Sequence, residues 1–277
     1  MLNSTFAQSC LKILLPISGA VVAIHVLHSF TLDRIIQYVE VPFRSLRVPP
    51  ALDGYRIAFI TDTHGISERR MAGVVDRLNK SGIDLLLLGG DFHNDIERAG
   101  RTVEILSGVR ATDGIYGVEG NHDTFVDLFA VMKANGMTPL FNTGVHVRDN
   151  FFLAGTADKK TFWPVAASIA DATENANPND FVLLLTHNAD ITMRQPTGGI
   201  DLIVSGHTHG GHITFFGLWA PALTLSRAVT RYGQRFMSGW AKSRDGVPVY
   251  VSNGTGGYFP RVFARPQVII FTLRHQG

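Results

Sequence analysis

Five short blocks of this 277-residue chain carry side chains suited to divalent metal ions. Asp62 and His64 stand in Thr-Asp-Thr-His, and Asp91 closes Gly-Gly-Asp. Asn121 and His122 stand in Gly-Asn-His-Asp, and His187 follows Phe-Val-Leu-Leu-Leu-Thr. His207 and His209 open His-Thr-His-Gly-Gly-His, which ends at His212. Carboxylates, imidazoles and an amide carbonyl, with no thiolate, suit Mn, Fe or Zn and argue against Cu(I) or iron–sulfur clusters. Asp62, His64, Asp91, Asn121, His187, His207 and His209 are more donors than one catalytic metal with an open position uses. Two ions about 3.5–4 Å apart, bridged by a carboxylate, fit that surplus better. A lone Asp-x-His is usually a solvated turn, so the weight rests on the set.

The elements that must position these residues are legible as apolar runs. Tyr55 to Thr61, Ile83 to Gly90 and the segment Gly-Ile-Tyr-Gly-Val-Glu-Gly ending at Gly120 read as buried strands. Phe181 to Thr186, Asp201 to Gly206, Val-Pro-Val-Tyr-Val before Ser252 and Gln267 to Leu273 read the same way. Met71, Val74, Val75 and Leu78 have helical spacing in Ser67 to Lys80, and a second helix carries Ile96, Val103 and Leu106. Asp123 is expected to cap a helix through Leu128, Phe129 and Met132 that closes at Asn135-Gly136. Val145 to Gly155 reads as a hairpin turning at Asp149-Asn150. Strands alternating with helices predict an α/β layered fold with a largely parallel or mixed sheet. Each metal-type block then follows a strand, and the carboxyl ends of such strands form the ligand crevice.

Composition excludes several classes. Hydrophobic residues make up 45% and charged residues 17%, which rules out a disordered, charge-rich chain. The net charge of +2 gives no global field for nucleic acid, and none is expected as a partner. A single cysteine, Cys10, excludes a disulfide framework and a cysteine zinc ribbon.

Ile13 to Leu27 is apolar apart from Ser18 and His25. A membrane anchor is the favoured reading over residues 11–30, with a cleaved signal and a buried or surface-lying helix as alternatives. Arg34, Arg44 and Arg47 after the segment, against Lys12 before it, favour the cytoplasmic side of a cell membrane for the rest of the chain, with an exported domain as the alternative. Val41 to Asp53, with Pro42, Pro49 and Pro50, is expected as an extended connector. Residues 1–53 are therefore set apart from a globular domain over 54–277.

Asp-x-His, Gly-Asp, Gly-Asn-His-Asp, a lone His and Gly-His-x-His, in that order, resemble the calcineurin-like metallophosphoesterase superfamily. The tail, with Asn253-Gly-Thr-Gly-Gly, Pro260-Arg261 and Pro266, resembles its bacterial subgroup typified by YkuE and YaeI. The resemblance runs from about Tyr55 to the C-terminus. It implies a four-layer α/β/β/α sandwich of two mixed sheets flanked by helices. It also implies a dinuclear site: Asp62, His64 and His209 on one metal, Asn121, His187 and His207 on the other, and Asp91 bridging. His122 would act on the phosphate and leaving group. The implied reaction is hydrolysis of a phosphodiester, phosphate ester or pyrophosphate by a metal-bridging hydroxide. A more specific version is a pyrophosphatase of lipid-linked UDP-2,3-diacylglucosamine, and a catalytically silent metal-binding scaffold is the alternative from another class.

The sequence departs from the fuller family motif at Asn94, where an aspartate supports the catalytic histidine. His212 stands where the subgroup commonly has Gln, and is a candidate substrate contact with Asn94 and Arg261. The apolar run Phe215 to Leu223, followed by Arg227, Arg231 and Arg235, reads either as a packed loop or as a lipid- or substrate-facing rim.

Overall fold

The computed structural model describes residues 4–123, 128–158 and 166–277. In chain order its elements begin with helix α1 (Ser4–Phe30), strand β1 (Gln37–Ser45), β2 (Arg56–Ile60), α2 (Glu68–Leu78) and β3 (Leu85–Leu88). Then come α3 (Ile96–Leu106), β4 (Ile115–Gly117), α4 (Leu128–Ala134), β5 (Thr138–Pro139), β6 (Thr143–Arg148) and β7 (Phe151–Gly155). The chain ends with α5 (Ile169–Thr173), β8 (Phe181–Leu185), α6 (Ile191–Arg194), β9 (Leu202–Ser205), α7 (Pro221–Leu225), β10 (Gly239–Lys242), β11 (Pro248–Val251) and β12 (Gln267–His275).

The strands form two six-stranded sheets, in the orders β1-β12-β2-β3-β4-β5 and β10-β11-β9-β8-β7-β6. In the first, β2, β3, β4 and β5 run parallel, and β12 is antiparallel to β2. In the second, β11, β9, β8 and β7 run parallel, with β10 and β6 antiparallel at the edges. The sheets pack face to face through Phe59, Leu85, Leu87, Phe151, Leu183 and Val204, among others. The outer face of the first sheet is covered by α2, α3 and α4, through Met71, Val74, Val103 and Met132. The outer face of the second is covered through Ile169, Ile191 and Phe236. Strands buried on both faces lose the alternation of a half-exposed strand, which is why Leu85 to Leu88 and Phe181 to Leu185 are apolar throughout. The architecture is the two-sheet, helix-flanked α/β fold.

As the resemblance implied, the strands divide between two mixed sheets, with β2, β3 and β4 in one and β8 and β9 in the other. Other expectations change in detail. Residues 41–53 are extended only in part: β1 is hydrogen-bonded along its length to β12, with Val41 and Phe43 in the core, and Pro50–Leu52 make one 3-10 turn. The first sheet therefore begins before the connector was expected to end. The helix cap expected of Asp123 would bond residues 124–127, which lie outside the described residues. The Asp123 carboxylate is buried and accepts from the backbone N–H groups of Asp91, Phe92 and Gly120. The hairpin forms as read, with Asn150 at φ 57° in its turn.

Candidate metal centre

The residues of the five blocks converge where the carboxyl ends of β2, β3, β4, β8 and β9 meet. Backbone geometry there is unusual. Asp62, Asp91, His207, His209 and His212 have φ of 51°, 55°, 73°, 52° and 61°. They are five of the nine non-glycine residues with positive φ among the described residues. Such conformations cost of order 1–3 kcal/mol each and persist where surrounding structure imposes them. Two glycines make room for the carboxylates they face. A Cβ on Gly206 would lie 2.2 Å from Asp62 Oδ2, and one on Gly120 would lie 2.2 Å from Asp91 Oδ1.

Two compact donor sets result. Asp62, His64 and His209 each present a ligand atom within 4.8 Å of the others, and so do Asp91, His187 and His207. Asp91 Oδ2 lies 3.3 Å from His64 Nε2 and 3.4 Å from His187 Nε2, so one oxygen faces a member of each set. His187 Nε2 is 3.1 Å from both Asn121 Oδ1 and His207 Nδ1. The rings are held from behind. His187 Nδ1 meets Gly89 O at 2.7 Å and His207 Nε2 meets Val229 O at 2.8 Å. Each carbonyl takes one N–H and leaves the other ring nitrogen facing the centre, as in histidines that bind metal. The His207 N–H in the backbone donates to Asp62, and the His122 backbone N–H donates to Asp91 Oδ1 at 2.7 Å.

The electrostatics fit a divalent cation. Asp62 and Asp91 are essentially fully buried, and among the described residues their ion-pair partners are histidines alone. Burial works to raise both carboxyls, but the charges of His187 and His64 outweigh it and hold them below the usual range. Conversely, burial works to lower His187, yet Asp91 and Asp62 push it well above its ordinary value. His209 goes the other way: burial, aided by Arg261, brings it down to about 3 and keeps the ring neutral. A cation is wanted between these groups, and neutral imidazole with carboxylate is the donor form that binds one.

The other site candidates separate. His122 is exposed, its ring 5.1 Å from that of His64. His212 lines the same cavity, of about 250 Å³, as His122, His207 and His209. Asn94 Nδ2 donates to the Tyr258 hydroxyl at 2.5 Å, and no Asn94–His122 hydrogen bond is found among the described residues. Arg261 corrects the expectation of a substrate contact. It is 4% exposed, and its guanidinium donates to the carbonyls of Gly256, His209 and Asn253. It ties the glycine-rich tail beneath the site. Sequence reading missed Tyr258, whose ring stacks on His64 at 6.0 Å. Its place directly after Gly-Thr-Gly-Gly was the available signal. The carbonyls of Gly89 and Val229 had none, since any residue supplies one. His146 pairs with Asp180, and His275 meets Val48 O; both lie outside the centre.

Fold and donor sets together define an α/β domain with a candidate metal centre, and comparison with known proteins gives its family. Residues 55–211 match the family of calcineurin-like phosphoesterases, and the chain belongs to it. It is similar to the uncharacterized metallophosphoesterase YkuE of Bacillus subtilis, 26% identical over 266 residues, covering 86% of each chain. It is also similar to a Bos taurus transmembrane protein with metallophosphoesterase domain, 29% identical over 243 residues, covering 79% of this chain and 52% of that one. An uncharacterized metallophosphoesterase of Helicobacter pylori is 26% identical over 230 residues, covering 78% and 58%. The chain thus spans only a little over half the length of several relatives.

Proposed function

We propose that this chain hydrolyses phosphodiester or related phosphoester and pyrophosphate bonds at a dinuclear centre, and that α1 holds it to a membrane. The observation that carries the first part is Asp91 Oδ2, placed between His64 and His187. In this reading Asp62, His64 and His209 hold one divalent ion, Asn121, His187 and His207 the other, and Asp91 bridges. Mn, Fe or Zn ions there would neutralise charge on the phosphoryl oxygens and lower the pKa of a bound water that serves as nucleophile. The chain's own residues orient and protect that chemistry. The backbone around Asp62 and Asp91 aims the carboxylates inward, while Gly89 and Val229 fix the histidine rings. His122, exposed at the rim, hydrogen-bonds a phosphoryl oxygen or gives a proton to the leaving alkoxide. His212 forms a wall for the substrate. No residue bonds covalently to phosphorus.

The membrane part rests on α1. Lys12–Arg34 has a mean hydropathy of 1.9 over its most apolar window, of which 6% is buried in the protein. That disfavours a core helix, and an exposed apolar helix needs another apolar medium.

The test uses the purified full-length protein loaded with Mn²⁺, a chromogenic phosphodiester and a chromogenic phosphomonoester. Turnover that disappears on chelation and returns with metal is expected. A protein that carries two metals and turns over neither ester would be a scaffold, and the hydrolase reading would be wrong.

A further inference from the structure

Exposed apolar side chains gather beside the end of α1. Ile213, Phe215, Leu218, Trp219 and Leu225 are exposed by 47%, 52%, 78%, 43% and 82%. They lie in and around the loop that leads into α7. Phe259, 51% exposed, adds to the same surface from the other side of α1, where it meets Phe30 at 5.0 Å.

This surface is fastened to the end of α1. His25 packs against the rings of Phe215, Phe216 and Phe263 at 5.4, 4.5 and 5.0 Å, and His28 stacks on Phe263 at 3.9 Å. Asp33 is buried just beyond the helix and accepts from His28 and from the backbone N–H groups of Phe263 and Ala264. The helix therefore runs into the domain without a slack linker.

Length then decides where the loop lies. A spanning helix needs about 20 apolar residues, with a lower limit near 17. The charge of Lys12 belongs near the far interface, because an ammonium at mid-bilayer is costly. Counted from Lys12, the hydrocarbon layer ends between Ser29 and Leu32. At a rise of about 1.5 Å per residue, His25 sits roughly 6–10 Å inside that boundary. The rings that touch His25 cannot be elsewhere. Interfacial apolar groups penetrate about 5–10 Å, the same depth.

We propose that the surface formed by Phe215, Leu218, Trp219, Leu225 and Phe259 inserts into the interfacial layer of a lipid bilayer, so that the metal centre opens at the membrane surface. The proposal rests on the anchor reading of α1. Two observations join the surface to the centre. Leu223 and Val229 line the cavity with His207, His209 and His212, so one wall of the metal cavity continues the inserted loop. A cleft of about 500 Å³ runs from Asp33 and Arg34 to Tyr258 and Arg261 on the other flank. Exposed Arg34 and Arg227 flank the apolar residues and suit anionic headgroups. A phosphoester with an apolar tail could then stay in the lipid while its phosphate reaches the histidines.

The experiment places the full-length protein in vesicles of phosphatidylcholine and phosphatidylglycerol, with and without brominated acyl chains. Brominated lipid is expected to quench tryptophan emission, and Trp219→Phe should remove about half or more of that quenching. Phenylalanine keeps an aromatic ring and gives up only the exposed indole hydrogen bond to Thr224, so the fold is expected to hold. Equal quenching in both proteins, with Trp219 open to aqueous iodide, would overturn the proposal while leaving the anchor intact. A full-length chain that does not float with the vesicles would overturn the anchor and this proposal together. Turnover of a soluble chromogenic ester, measured alongside, reports on the metal centre independently of either result.

Discussion

At the scale of single residues, the proposed function divides the centre into groups that would hold metal and one that would not. Asp91 has an oxygen facing both donor sets, so Asp91→Ala should lower the content of both metals and abolish turnover. Elemental analysis decides this, and two metals at full occupancy in that variant would end the bridging assignment. His122 reaches the site only through its exposed ring, its backbone being tied to Asp91. His122→Ala should therefore keep both metals and lose roughly 10²–10⁴-fold in turnover, the usual contribution of a general acid. The loss should be smallest on a nitrophenyl ester, whose leaving group needs no proton, and largest on an alkyl diester. Equal loss on both would assign His122 to phosphate binding alone. Asn94 sharpens this test, because it is bonded to Tyr258 and offers the imidazole no carboxylate.

Among elements, the loops after β3 and β4 behave as one unit. Asp123 holds them together through three backbone donors, at Asp91, Phe92 and Gly120. Asp123→Ala leaves those buried N–H groups unpaired, at about 1–3 kcal/mol for each such group. The variant should melt markedly lower and bind metal weakly, as thermal denaturation and metal titration would report; an unchanged melting temperature would contradict this role. The strand β1 offers a second test. A chain starting at Thr31 retains β1 and Asp33, whereas one starting at Val48 deletes Val41 and Phe43 from the core and bares the edge of β12. Burying each of those side chains is worth about 1.5–3 kcal/mol. The shorter chain should melt roughly 10 °C or more below the longer one, taking about 2–4 °C per kcal/mol for a chain of this size.

For the whole molecule, metal binding couples to folding. The two sheets meet at the centre, and ions bound across it stabilise the folded state by RT ln(1 + [L]/Kd). At a hundredfold excess over Kd that is about 2.7 kcal/mol per site, so chelation should lower the melting temperature by roughly 5–10 °C per ion. Re-addition of Mn²⁺ should restore it. A melting temperature indifferent to chelation would mean that the donor sets hold no ion under those conditions.

What the sequence by itself determined follows from local physics. Strand positions were legible because a strand covered on both faces must be apolar throughout, as in Leu85 to Leu88 and Phe181 to Leu185. The donor set was legible because Asp, His and Asn directly after such strands have few reasons to recur. Tertiary structure alone decided the rest. Whether β1 is a connector or an edge strand depends on pairing with β12, more than 200 residues away in sequence, and no local pattern encodes a partner. That Asp123 braces two loops depends on backbone N–H groups brought near it by the fold. Arg261 could have faced phosphate, but three carbonyls surround it. The sequence left the run from Phe215 open between a packed loop and a lipid- or substrate-facing rim, and only its packing against His25 ties it to the depth of α1. Hydrogen-bond partners and depth are relations between distant segments, so only the folded chain specifies them.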